Sequence, residues 1–430
     1  MRVAIVGTGV SGMLCARLLH PEHEITVFEA GDYIGGHTNT IDVDLAGRRW
    51  AVDTGFIVYN DWTYPNFIRM LERLGVATQT SDMSFSVRCK RTGLEYNGTS
   101  VNTLFAQRSN FLRPSFYRMI RDILRFNKEA PELLERDDER TTLGEYLDAK
   151  RYSKEFLENY ILPMGGAIWS AEAQAMRAFP ARYFVQFFKN HGMLSVDERP
   201  QWRVVSGGSA CYMRALTQPF RDRIRLKSPI ASIRRFDTHV EITPKGGATE
   251  RFDHVIVSAH SDQALAMLAD ASPSERAILG AIPYQENIAV LHTDDSVMPK
   301  RKLAWAAWNY HLDAQSKAHV AVTYWMNHLQ SLDAPVNFCV TLNDVDGIDP
   351  AKVLRRIRYH HPVYTTDGVA AQKRRHEISG VRRTWFCGAY WGYGFHEDGV
   401  KSALAVAQGF GKSLDDIEPA VAAPAEIAFA

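Results

Sequence analysis

The sequence predicts an α/β protein, with a helix-covered parallel sheet joined to an α+β region, and three observations carry that prediction. Val3-Ala4-Ile5-Val6 is a short β-rich run without polar alternation, the pattern of a strand buried on both faces of a parallel sheet. It runs directly into a glycine turn, Gly7-Thr8-Gly9-Val10-Ser11-Gly12, and then into a helical stretch over residues 13–19. A second β-rich run, Ile25-Thr26-Val27-Phe28, ends in Glu29. Strand, turn, helix, strand and acid follow one another in the order of a β-α-β unit.

Each part has a physical task. Gly7 permits the tight turn, Gly9 lets backbone approach a pyrophosphate, and Gly12 lets the helix pack close to the sheet. The unpaired N–H groups at the helix start, around Val10 and Ser11, suit phosphates, and Glu29 beside Ala30 suits ribose hydroxyls. The constellation predicts a Rossmann-like dinucleotide site.

Composition narrows the rest. The chain has 430 residues, enough for two or three domains, and 46% hydrophobic with 23% charged residues excludes disordered and fibrous classes. Lys+Arg 50 against Asp+Glu 49 gives a net charge of +1, which offers no reason to expect a nucleic-acid partner. Cys15, Cys89, Cys211, Cys339 and Cys387 are scattered, with no CxxC pair. Neither a disulfide framework nor a metal site is expected, and a cytoplasmic location is. No apolar run reaches the roughly 18 residues of a membrane span. Gly7, Gly9, Gly12 and Arg17 interrupt the N-terminal apolar stretch, which therefore reads as folded structure and not as a signal peptide.

Beyond Glu29, a Gly35-Gly36 doublet is followed by His37 and Thr38, and then by Asp53-Thr54-Gly55-Phe56. With these motifs the sequence resembles the flavin-containing amine oxidase superfamily, whose members include phytoene-type desaturases, protoporphyrinogen oxidases and fatty-acid isomerases. It looks closest to a bacterial subgroup associated with cyclopropane and methyl-branched fatty-acid synthesis. The resemblance implies non-covalent FAD, with Gly35, Gly36, His37, Thr38, Thr54 and Gly55 lining ribose and pyrophosphate. The doublet is usually followed by Arg; His37 stands there instead, so an Arg–phosphate contact is not expected.

The resemblance also implies a second half-site near the far end. There residues 383–389 read as a strand ending at Gly388, and residues 400–410 read as a helix. In the superfamily this segment meets the ribityl chain and the flavin pyrimidine. The usual acid after the strand glycine is replaced by Ala389 and Tyr390, so its role either passes to Glu397 or Asp398, with Val400 beside them, or is absent. Ile230, in a strand-like stretch over 224–235, falls where adenine would be met. The implied FAD-binding domain is discontinuous, over 1–80, 201–285 and 376–420. An α+β substrate domain with an antiparallel sheet and inserted helices occupies 81–200 and 286–375, and 421–430 is a tail.

In the inserts, Phe116, Met119, Ile120, Ile123 and Leu124 fall at helical spacing, with Arg118, Arg121 and Arg125 on another face. That basic face is expected to be solvated, to accept an acidic partner, or to rest on an anionic membrane, which would place the protein peripherally at the inner face. Phe184, Phe187 and Phe188 mark a second aromatic helix. Trp305, Trp308, Tyr324 and Trp325 read as antiparallel strands flooring an apolar pocket, to which Trp391 and Tyr393 contribute. Lys302 is the nearest lysine to match one that many amine oxidases hold near the flavin. No HExxH, GxSxG or P-loop occurs, and no catalytic residue beyond the flavin can be named. The expected activity is FAD-dependent oxidation, desaturation or isomerisation of an apolar substrate, a fatty acyl chain or phospholipid. The alternatives are oxidation of a small amine and a non-catalytic flavoprotein.

Overall fold

A computed structural model describes residues 1–195, 197–312 and 321–419, so the tail at 421–430 lies outside the described residues. The N-terminal run forms the strand Arg2–Val6, and the helix Val10–Leu19 and strand Glu24–Phe28 follow as predicted. These strands sit in a five-stranded parallel sheet, in the order Ile224–Arg225, Glu24–Phe28, Arg2–Val6, His254–Val257, Thr384–Phe386. Its strands come from three distant stretches of chain. Val3, Ala4, Ile5, Val27 and Val255 are buried on both sides of the sheet, which is why these strands lack polar alternation.

A seven-stranded sheet packs beside it. Its order is Val353–Pro362, Tyr284–His292, Cys339–Leu342, Ala321–Trp325, Trp308–Leu312, Phe85–Cys89, Leu94–Asn97, antiparallel except where Trp308–Leu312 meets Phe85–Cys89. A helical unit over residues 114–190 closes the other side, cored by Phe126, Phe156, Phe179, Phe184 and Phe188. The aromatic helix Ala181–Asn190 buries Phe184, Phe187 and Phe188 as core.

Two expectations are corrected. The stretch 224–235 is two strands: Ile224–Arg225 joins the parallel sheet, and Ile230–Arg235 opens a separate antiparallel one. The helix Pro114–Glu129 buries Phe116, Met119, Asp122 and Phe126, whereas Leu124 is exposed. Asp122 is inside because its carboxylate accepts from Ser153 N at 2.8 Å. The basic face is also largely paired: Arg118 with Glu155 (3.2 Å), Arg121 with Asp122 (3.6 Å), and Arg125 with Asp122 and Glu129. Among the described residues, no helix is long and apolar enough to cross a membrane.

Candidate active site

The glycine turn forms a cradle at the C-terminal edge of the parallel sheet. Gly7 has φ +103°, and a Cβ there would lie 2.7 Å from Ser258 O, so only glycine fits. The helix Val10–Leu19 starts at Gly9 with no side-chain cap, and nothing lies within 4 Å of where a Gly9 Cβ would stand. Its first N–H groups are therefore open to an anion. Gly36 faces the same spot, its Cβ position 3.4 Å from Gly9 Cα. Glu29 organises the rim: its carboxylate accepts from Thr8 N (3.0 Å), Thr8 Oγ1 and Gly31 N (2.7 Å). Gly35 N donates to Thr8 Oγ1 at 3.2 Å. Lys227 N and Ser228 N donate to Gly31 O and Glu29 O, which brings the start of the strand at Ile230 near Ala30. Gly12 and Ser11 lie beneath, Ser11 Oγ 3.1 Å from Ser258 Oγ.

The distant half-site arrives at the same place. Gly388 follows the strand Thr384–Phe386, and its N–H donates to Ser402 Oγ (2.9 Å) on the helix His396–Gln408. A Cβ on Gly399 would lie 2.8 Å from Val10 Cγ1, so the first turns of the two helices touch, with Val400 buried beside them. The two acids expected here part company. Glu397 accepts from Asn66 Nδ2 (2.6 Å) and Phe67 N (2.9 Å), so its carboxylate caps the helix Pro65–Arg73. Asp398 accepts from Phe395 N (3.0 Å), and burial pushes its carboxyl up to about 7.

Between the half-sites, His37, Thr38, Thr54 and Gly55, all expected from the sequence, meet groups that it did not single out, Tyr212, Tyr359, His260, His361 and His396. Thr38 Oγ1, Tyr212 OH and His396 Nε2 form a closed triangle of 2.5, 3.0 and 2.6 Å. Thr54 Oγ1 donates to Asn39 O and lies 3.0 Å from Tyr359 OH, while Gly55 packs on His37 O with no room for a side chain. Asp53 is fully buried and accepts from Thr40 Oγ1 and Ser209 N; burial pushes it up to about 6. His37 stacks on Tyr359 at 4.9 Å, with His361 at 5.2 Å and His260 at 5.8 Å. Desolvation lowers His37 and His361 to about 3 and His260 to about 4, so all three imidazoles are neutral.

The donor set fits a flavin. His37 Nε2, His260 Nδ1, Tyr364 OH, Tyr390 OH and Trp391 Nε1 are buried without a hydrogen-bond partner among the described residues. Two of them sit against neighbouring rings: His260 stacks on Tyr284 at 4.6 Å, and Tyr390 packs on Trp391 at 4.8 Å. Each unpaired group costs about 1–3 kcal/mol, and a ring bearing carbonyls and ring nitrogens supplies what they need.

The aromatic pocket expected from the inserts is divided. Trp308 and Tyr324 are cross-strand partners, 5.1 Å apart, on the face packed against Tyr310 and Val340. Trp325 points to the opposite face, where it meets Trp305 at 5.2 Å and donates to Asn337 Oδ1. Lys302 is exposed beside Trp305, on that far face. Tyr393 packs on Tyr183 (4.2 Å) and Phe187 (5.4 Å), whereas Trp391 turns towards Arg375.

The family model for flavin-containing amine oxidoreductases matches residues 10–409. Among solved structures, the chain is similar to cyclohexylamine oxidase from Brevibacterium oxydans IH-35A, at 16% identity over 95% of this chain and 99% of that one, with a TM-score of 0.69. It is similar to putrescine oxidase bound to putrescine, at 14% identity over 95% and 99%, TM-score 0.69. It is also similar to the CLA-producing fatty acid isomerase from P. acnes, at 16% identity over 95% and 98%, TM-score 0.68. No curated protein matches the chain. The structural likenesses are of fold; the family match runs from the first turn of the cradle helix through the whole of the helix His396–Gln408. This chain therefore belongs to the flavin-containing amine oxidoreductase family, as an oxidoreductase whose cofactor is FAD.

Proposed function

We propose that the protein oxidises, desaturates or isomerises a fatty acyl chain, free or on a phospholipid. The observation that carries this reading is an uncharged ring wall beside the cofactor cradle. Tyr183, Tyr364, Tyr393 and Phe187 pack together, and the strand Val353–Pro362 that leads to Tyr364 carries His361 of the neutral histidine cluster. Asp398 faces these tyrosines, and its raised carboxyl does not carry a full charge at neutral pH. Such a wall holds no fixed anion for an ammonium group, while each CH₂ buried against it contributes about 0.8 kcal/mol.

The Gly9 and Gly36 cradle and the half-site at Gly388 would hold FAD, which would supply a hydride acceptor for a C–H bond. The chain's own residues orient the substrate and keep water out, which Trp169, Phe179 and Phe187 do by packing edge and face behind Tyr183 and Tyr393. A desaturation also releases a proton, and His260 Nδ1, in the tautomer that leaves it unprotonated, is a buried acceptor.

A second reading, amine oxidation, draws on the likeness of fold to two amine oxidases. Anaerobic spectroscopy separates the two. Oleate or an oleoyl phospholipid is expected to perturb or bleach the flavin absorption, and cyclohexylamine and putrescine are not. Bleaching by an amine with no response to any acyl compound would reject the fatty-acyl reading.

A further inference from the structure

We propose that residues 101–128 form a docking surface for an anionic bilayer, in which Phe111 and Leu112 enter the lipid interface and Arg113 meets a lipid phosphate. The surface stands apart from the substrate assignment, since its inner side packs on the strands Phe85–Cys89 and Leu94–Asn97 and not on the cofactor cradle.

Exposure singles the region out. Thirteen large apolar side chains are exposed among the described residues, and five of them, Val101, Phe111, Leu112, Tyr117 and Leu124, lie within 24 consecutive positions. Leu112 is 87% exposed. Clustering of this kind marks an interaction surface, where scattered single residues would not.

The exposed residues are firmly held. Ser100 caps the helix Val101–Leu104 by accepting from Thr103 N, which sets Val101 outward and turns Phe105 inward. Phe105 then stacks on Phe111 at 4.0 Å with an interplanar angle of 3°. Buried Asn110 donates to Glu95 O at 3.2 Å, and Tyr117 OH donates to Phe111 O at 3.2 Å. The turn Arg108–Leu112 is thereby fixed with Leu112 at its end, just before the helix Pro114–Glu129 begins.

Charge selects the occupant. The arginines at 118, 121 and 125 are paired with carboxylates, as described above. Arg108 binds only Asn102 and the Phe105 carbonyl, and Arg113 and Lys128 have no ion pair among the described residues. Tyr117, Arg121, Leu124 and Lys128 follow each other at i, i+4, i+7 and i+11, one alternating apolar and basic stripe along the helix. Arg113 also borders a cleft of about 290 Å³ floored by Leu94, Phe116 and Met119. At the cleft's far side, Arg91 and Lys154 share Glu158. Apolar tips flanked by Arg108 and Arg113, which carry no ion pair among the described residues, match the interface of an anionic membrane, where the tips enter the acyl boundary and the cations meet phosphates.

The test is sedimentation of the FAD-loaded protein with vesicles. Wild type is expected to pellet with vesicles containing phosphatidylglycerol and to remain in solution with phosphatidylcholine alone. Leu112→Asp should lower the partition coefficient about tenfold, and Arg113→Glu with Lys128→Glu should remove the dependence on anionic lipid. Leu112 and Lys128 are exposed, so the flavin spectrum and melting temperature of these variants should match wild type. The proposal fails if anionic vesicles do not pellet the wild type, or if Leu112→Asp pellets equally well. It also fails if Leu112→Asp instead converts a dimer to a monomer, which would make the face a contact between copies. Vesicle binding without any acyl effect on the flavin would reject the substrate reading and leave this surface standing.

Discussion

Replacing Glu29 tests the cofactor cradle most directly. Its carboxylate takes three donors, Thr8 N, Thr8 Oγ1 and Gly31 N, and Thr8 Oγ1 in turn receives Gly35 N from the glycine doublet. One side chain thus ties the first glycine turn to the second. Glu29→Ala strands two backbone donors at a half-buried rim and removes the acceptor offered to ribose hydroxyls. Water replaces part of the loss at such a rim, so the penalty is about 1–3 kcal/mol rather than the full sum of the bonds. That corresponds to roughly one to two decades in FAD affinity. Glu29→Gln keeps one acceptor oxygen and so loses either the Thr8 pair or Gly31, which places it between the two. The assay is FAD retention: equilibrium dialysis followed by fluorescence of the released flavin. FAD affinity within twofold of wild type for Glu29→Ala would refute the reasoning.

Two further outcomes are expected. Asp398 keeps its proton in the folded state up to about pH 7, whereas the unfolded carboxyl loses it near 3.8. Between those values the unfolded state binds fewer protons, so stability falls as pH rises, and above about 7 the penalty is complete. Asp398→Asn, which can still accept from Phe395 N, should therefore gain about 2–4 kcal/mol over wild type at pH 8 and little at pH 4; urea unfolding at the two pH values checks this, and an equal effect at both would contradict it. Acid denaturation should release all the FAD into the supernatant, because Cys387, the cysteine nearest the second half-site, is buried among Cys15, Ser11 and Ser258. Yellow colour that stays with the precipitate would show a covalent link.

The cradle was legible because its signal is local. Gly7, Gly9, Gly12 and Glu29 act through the backbone of one β-α-β unit, and their spacing reflects turn geometry alone. The far half-site was legible only through the family resemblance, which implied where a strand ending at Gly388 and the helix after it would lie; their own spacing does not name a cofactor. The histidine cluster was not: His37, His260 and His361 come from a loop, a strand end and the last strand of a different sheet, and only the sheet order brings them together. Leu124 misled because a period of 3.6 residues does not say how wide the buried stripe is. Here Asp122, satisfied by Ser153 N, holds an inner position that a hydrophobic count assigns elsewhere. The strand residues misled in the opposite way. Tyr324 and Trp325 are adjacent and must face apart, but which of them meets Trp308 depends on the register with the neighbouring strand.

The parallel sheet has a consequence for how the protein is made. Val3 pairs with His254, and Val255 with Thr384, so the central strands wait for partners hundreds of residues downstream. Contacts of such long sequence separation form slowly, because a large loop must close before any bond is gained. On the ribosome the first strand and the cradle helix emerge early, yet the helix that touches Val10 ends only at residue 408. Until His254–Val257 is made, the first strand keeps one edge unpaired along its apolar residues Val3–Val6, a surface that invites chaperones or aggregation. Flavin capture is in this sense a checkpoint on synthesis: a chain that stops before the second half-site has nothing to close over the first.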